Sequence, residues 1–164
     1  MAGESTFDIV SDFDEQELVN ALDQTRREVT TRFDLKDTKT EIEHDKTSIT
    51  ITTESETSLK GVRDILESKM IKRNLSLKIL KPEKIEDAAG GRIRQKFTLQ
   101  RGLSTELAKE ISKLVRDNFP KVKPSIQGDA VRVAAKSRDD LQAIIAFLKG
   151  KDFPVPLQFE NYRG

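Results

Sequence analysis

The sequence predicts an α+β protein built from two ferredoxin-like domains, each a β-α-β-β-α-β chain with two helices on one face of a four-stranded antiparallel sheet. Two observations carry this. The first is a phrase that occurs twice. Ile42-Glu43-His44-Asp45, Ile49-Thr50-Ile51, Ser55 and Leu59 recur as Ile126-Gln127-Gly128-Asp129, Val131-Arg132-Val133, Ser137 and Leu141. The offset is 84 residues before the turn and 82 after it, far beyond the ~20–50 residues of a solenoid unit. The second is a seam between the copies. Asp87-Ala88-Ala89-Gly90-Gly91 is the one small, flexible stretch in the 164 residues, which places domains at 1–87 and 92–164.

The elements follow in order. Phe7-Asp8-Ile9-Val10 reads as a strand, expected over 7–12, that can pair with its own half or cross to the other sheet. Asp12 or Asp14 caps a helix with Glu15 and Glu17 in its first turn, where carboxylates suit the helix dipole. Leu18, Leu22, Val29 and Phe33 share its apolar face. Glu41–Asp45 and Ser48–Thr53 form a hairpin in which Ile49 and Ile51 alternate with polar residues. The lone His44 reads as an exposed turn residue, because its counterpart in the second copy is Gly128, a turn former. Ser55 caps the second helix. Leu75, Leu77 and Ile79 alternate as a strand that Pro82 stops.

After the seam the order recurs. Ile93, Phe97 and Leu99 lie in a strand, Ser104 caps a helix that Pro120 stops, and a hairpin turns at Gly128-Asp129. Ser137 caps the last helix, with Asp139 and Asp140 in its first turn. Val155, Leu157 and Phe159 close the chain as an edge strand.

Charge separates the two copies. Residues 1–89 hold 14 Lys/Arg against 20 Asp/Glu, and residues 90–164 hold 15 against 8. An acidic module is thus joined to a basic one, and a basic sheet face attracts anionic ligands. Arg92 and Arg94 alternate with Lys96 on one strand and so project together. Arg132 points away from the core on the second hairpin, and Lys136 and Arg138 follow at the entry to the last helix. The expected use of these cations is phosphate recognition, with Asp8 and Asp129 as acceptors for a base edge and Arg32 as a further cation.

Other chemistries lack their residues. The chain has no cysteine and one histidine, which excludes disulfides and thiolate nucleophiles and argues against zinc. No Gly-rich phosphate loop of Walker or dinucleotide type occurs. No metal, cofactor or catalytic residue is expected. No apolar stretch is long enough to span a membrane, and a cytoplasmic location is expected. The aromatic pair that stacks RNA bases on this fold is missing from the hairpin strands; Tyr162 is the one candidate for stacking.

Phe7-Asp8-Ile9-Val10-Ser11, Thr31-Arg32-Phe33-Asp34, the block from Ile126 to Gln142, and Pro156-Leu157-Gln158-Phe159 with Asn161-Tyr162-Arg163 resemble the YajQ family of bacterial nucleotide-binding proteins. The likeness covers almost the whole chain. It implies tandem domains of RNA-recognition-module topology and a cytoplasmic, non-catalytic protein. It also implies a nucleotide ligand: cyclic-di-GMP for members described as signal effectors, and GTP, ATP or tRNA for others. A regulatory protein partner belongs to the effector role. Two further uses of the basic face stay open, an RNA-associated protein and a protein-interaction adaptor.

Overall fold

The computed structural model describes residues 4–164. The strands are β1 (Ser5–Val10), β2 (Glu41–His44), β3 (Ser48–Thr53), β4 (Leu80–Pro82), β5 (Glu86–Asp87), β6 (Ile93–Leu99), β7 (Lys123–Gln127), β8 (Ala130–Ala135) and β9 (Gln158–Arg163). The helices are α1 (Glu15–Thr31), α2 (Glu56–Lys72), α3 (Thr105–Asn118) and α4 (Arg138–Lys149). All pairings are antiparallel, in one sheet of four strands and one of five. The α+β, double ferredoxin-like architecture is as expected.

The chain does not divide at the seam. One unit joins the N-terminal residues up to Asp12 to Arg101–Gly164, and the other is Phe13–Gln100. We call them the split unit and the inserted unit. The split unit's sheet runs β7-β8-β1-β9, and the inserted unit's runs β2-β3-β6-β4 with β5 also on β6. Each repeat therefore gives its first strand to the other repeat's sheet. β1 lies between β8 and β9, and β6 lies between β3 and β4. Of the two pairings open to the first strand, it takes the crossed one. A boundary at 88–91 would cut β6 from its own sheet.

Burial explains the exchange. Phe7 and Ile9 of β1 are fully buried among Val131, Val133, Ile111 and Ile144. Phe97 and Leu99 of β6 are buried among Ile49, Ile51, Leu59 and Leu66. Each large apolar side chain contributes roughly 1.5–3 kcal/mol on burial, so a sheet deprived of its central strand loses several such contributions. The units accordingly have separate cores.

The helix starts are those expected. Asp14, Ser55, Ser104 and Ser137 each accept a backbone N–H three residues ahead. Several elements differ. α1 ends at Thr31, so Phe33 leaves the apolar face and is 88% exposed. Leu77–Ile79 is a single 3-10 turn and the strand begins at Leu80; Ser76 caps that turn by accepting from Lys78 N–H. The closing strand is Gln158–Arg163, later than Val155–Phe159, because Phe153 and Val155 are buried in the loop before it. His44 ends β2 instead of standing in the turn, with Nε2 3.6 Å from Glu15 Oε1.

Candidate functional site

The exchange of strands cancels the charge separation seen along the chain. The inserted unit holds 17 Lys/Arg and 17 Asp/Glu, and the split unit 12 and 11. β6 carries its cations into the acidic repeat's sheet. Arg94 and Lys96 do project from the open face, opposite Thr52 and Thr50. There Arg94 Nε meets Glu86 Oε1 at 3.2 Å. Arg92 lies before the strand, with Nη1 3.2 Å from both Glu41 Oε1 and the Lys39 carbonyl. Arg32 forks onto Asp34 at 2.8 and 2.9 Å and also meets Glu28. That fork holds the Asp34 carboxyl below its usual range and raises Arg32. Arg32, Arg92 and Arg94 are thus each matched by a carboxylate.

Asp8, Asp129, Arg132, Lys136 and Arg138 all belong to the split unit. Alternation puts Thr6, Asp8 and Val10 of β1, and Ala130, Arg132 and Ala134 of β8, on the face away from the helices. Asp8 and Arg132 are direct cross-strand neighbours. Arg132 Nε and Nη2 donate to the two Asp8 oxygens at 2.9 and 3.3 Å, and Asn161 Nδ2 donates to Asp8 Oδ2 at 2.8 Å. Arg132's hydrogen bond is the largest influence holding the Asp8 carboxyl below its ordinary value; burial opposes it, and the Asn161 hydrogen bond and the charge of Arg163 assist. Asp8 is therefore an ionised acceptor whose oxygens are already engaged. The sheet face around it is flat and poor in aromatics: Phe7 is in the core, Phe159 packs edge-on to it, and Tyr162 stacks on it at 5.9 Å.

Asp129 is placed elsewhere. It precedes β8 and Lys136 follows it, so the two are ~23 Å apart at a strand rise of ~3.3 Å per residue. Asp129 braces the entry to α3. Its carbonyl accepts from Leu103 N–H at 3.0 Å, and an added Cβ on Gly102 (φ +81°) would lie 2.5 Å from its Oδ2. Both contacts, and its place in the Gly128-Asp129 hairpin turn, are structural.

Arg138 has a different setting. It opens α4 beside a cavity of about 320 Å³ lined also by Ser5, Thr6, Gln142, Tyr162 and Arg163. Among the described residues neither Arg138 nor Arg163 makes an ion pair. Tyr162 is 55% exposed, with its ring backed by Phe7. Asp139 and Asp140 of the same helical turn do not line the cavity. Arg138, Arg163 (whose charge also acts on Asp8), the aromatic ring of Tyr162 and the hydroxyls of Ser5 and Thr6 line a pocket suited to a phosphate ester with a planar group. Arg163 was not legible as a site residue because β9 was expected to end before it. Among the described residues no cluster of His, Asp or Glu is placed to hold a metal ion, and no helix is long and apolar enough to cross a membrane.

Fold and pocket together define a tandem ferredoxin-like protein with exchanged first strands and a cavity lined by Arg138 and Arg163 in its split unit. Residues 5–163 match the model of the family described as nucleotide-binding protein YajQ-like. The chain belongs to that family. It is 59% identical to a nucleotide-binding protein of Roseiflexus castenholzii over 99% of this chain and 100% of that protein. It is 61% identical to a nucleotide-binding protein of Synechococcus elongatus and 60% identical to one of Chloroflexus aurantiacus, again over 99% of this chain and 100% of each relative.

Proposed function

We propose that the chain binds a nucleotide without altering it, in the split-unit cavity beside α4. The observation that carries this reading is a cavity lined together by Arg138, Arg163 and the exposed Tyr162, with no Asp or Glu among the described residues of its lining. Guanidinium groups take phosphate oxygens in a fork, and an aromatic face accepts a base. Lys136, exposed one residue before the Ser137 cap, is a further cation close in sequence to Arg138. The names of the relatives, all nucleotide-binding proteins, support the same ligand class.

Cyclic-di-GMP is the first ligand to test, with GTP and ATP as comparisons, and a cytoplasmic effector that passes the bound state to a regulatory protein is the corresponding role. The cations expected on β6 lend no support, since carboxylates already occupy Arg92 and Arg94. Calorimetric titration tests the reading. Arg138→Ala and Arg163→Ala are each expected to weaken binding at least ~10-fold, a loss of about 1.4 kcal/mol. Undiminished affinity in the double variant removes the pocket. tRNA retention that falls steeply with salt while all three nucleotides fail to bind would favour the RNA-associated reading.

A further inference from the structure

Strand β9 carries one residue more than its partner. Asp8, Ile9 and Val10 of β1 face Glu160, Phe159 and Gln158 in regular register, but Thr6 faces Arg163 instead of Tyr162. Asn161 and Tyr162 therefore share the place opposite Phe7. This is a β-bulge, which bends the strand and re-aims its side chains. Asn161 absorbs the extra length with φ +62°, a left-handed backbone that asparagine adopts more readily than most residues.

The extra residue decides which face Tyr162 occupies. Side chains alternate along a strand, and a slip of one residue sends each to the other face. Glu160 stands opposite Asp8, on the face away from the helices. In an unbulged strand Asn161 would follow onto the helix face beside Phe7, and Tyr162 would return to the open face beside Thr6. The bulge reverses both. Asn161 stays on the open face, where its Nδ2 donates to Asp8 Oδ2 at 2.8 Å. Tyr162 turns to the helix side and stacks on the fully buried Phe7, with ring centroids 5.9 Å apart. There it lines the cavity together with Arg138, Leu141 and Gln142 of α4.

The acceptor for Asn161 is itself held in place. Arg132 forks onto both Asp8 oxygens at 2.9 and 3.3 Å, so the neighbouring strands β8, β1 and β9 each supply one member of a row of side chains. The ionised carboxylate at its centre makes each bond the stronger, charge-assisted kind. Among the described residues, the cavity lining includes none of Asp8, Arg132 and Asn161. Their effect on the cavity passes through the backbone of β9.

We propose that Asn161 is a positioning residue for the nucleotide cavity: its left-handed backbone and its bond to Asp8 hold the bulge that turns Tyr162 toward α4. The inference rests on the cavity being the nucleotide site, but its first readout does not. Tyr162 is the one tyrosine of a chain without tryptophan, so tyrosine fluorescence and the tyrosine band of the near-UV circular dichroism spectrum report on that ring alone.

Two variants of the full chain test it. Asn161→Val sets a stiff β-branched side chain where φ is positive. It is expected to straighten the strand and release Tyr162 from Phe7, which weakens the tyrosine band, raises fluorescence quenching by acrylamide and lowers nucleotide affinity at least ~10-fold. Deletion of Asn161 removes the extra residue and leaves a regular alternation that still brings Tyr162 to Phe7 and Arg163 to Thr6. It is expected to keep the tyrosine signals and the affinity of the parent. Asn161 is exposed on an edge strand, so both variants are expected to keep the parent's far-UV spectrum. Tyrosine signals unchanged by Asn161→Val, or lost on deletion, overturn the inference. So does an Asn161→Val protein whose tyrosine signals change while its affinity does not. A parent protein that binds no nucleotide overturns the cavity as the site instead, and the tyrosine signals then decide whether Asn161 aims the ring.

Discussion

In the split unit, Arg138 and Arg163 stand without ion pairs beside a cavity, whereas in the inserted unit Arg32, Arg92 and Arg94 are each matched by a carboxylate. The two units share one strand order and nearly equal charge balance, yet the split-unit cavity is lined, among the described residues, by two guanidiniums and no Asp or Glu, whereas the inserted-unit cavity at Arg63 is lined also by Glu56, Asp64 and Glu67. The difference lies in the supply of neighbours. β6 enters a sheet whose edges carry Glu41, Glu43, Glu83 and Glu86, and Thr98 Oγ1 donates to Glu83 at 2.7 Å. β9 and α4 meet at a corner where serine, threonine and glutamine supply the polar atoms. Charge counted along a chain becomes charge at a site only after the strands have been assigned to sheets.

The largest test of this comparison is to cut the chain. A fragment spanning 13–100 keeps every strand of its sheet and is expected to melt cooperatively by circular dichroism. A fragment spanning 1–89 lacks β6, and with it Phe97 and Leu99, and is expected not to fold. Cooperative melting of 1–89 with failure of 13–100 would return the boundary to the seam.

Glycines sharpen the contrast on a smaller scale. Gly102→Ala in the split unit meets both a left-handed φ and the Asp129 side chain, and is expected to cost about 2–3 kcal/mol in urea unfolding. Gly90→Ala in the inserted unit has the φ penalty with open space around it, and is expected to cost about 1–2 kcal/mol.

Smaller again is the sheet-face fork. Arg132→Ala is expected to destabilise only slightly, since its side chain is 40% exposed and solvent screens part of the interaction. Measured in an Asp8→Ala background, most of that loss is expected to vanish, because the two groups act as a pair. A loss of nucleotide affinity with unchanged stability would instead make Arg132 a ligand contact.

The pH dependence follows with its sign. Asp8 has a folded carboxyl value below its ordinary one. The stability it contributes is therefore complete above the ordinary carboxylate range and is lost as pH falls through the lowered value. Asp45, which accepts from the backbone N–H groups of Thr47 and Ser48, shifts the same way. Asp8→Asn is expected to flatten the acid side of the melting-temperature profile and to leave the profile above neutral pH unchanged.

Much of this architecture was legible in the residues. Period-two apolar patterns marked β3 and β8, and Ser55, Ser104 and Ser137 announced three helix starts by a mechanism that depends only on local sequence. The pairing of β1 and β6 was not legible, because Phe7-Asp8-Ile9-Val10 and Gln95-Lys96-Phe97-Thr98 offer the same alternation to either sheet. Side-chain fit in a core decides between them, and sequence periodicity does not contain it. The site suffered from the same gap. Arg92 and Arg94 do alternate, but their acidic partners come from β2 and β5 through pairings that spacing does not reveal. Arg163 and Tyr162 enter the pocket because β9 starts three residues later than the Pro154 and Pro156 signals suggested.

The account rests on phosphate being drawn to the corner between α4 and β9. Amide chemical shifts followed during titration with cyclic-di-GMP and with GTP test this most directly. The expected result is a saturating set of shifts at residues 5–6, 136–142 and 162–164. Shifts centred on residues 92–96, with the α4 turn unmoved, would contradict it.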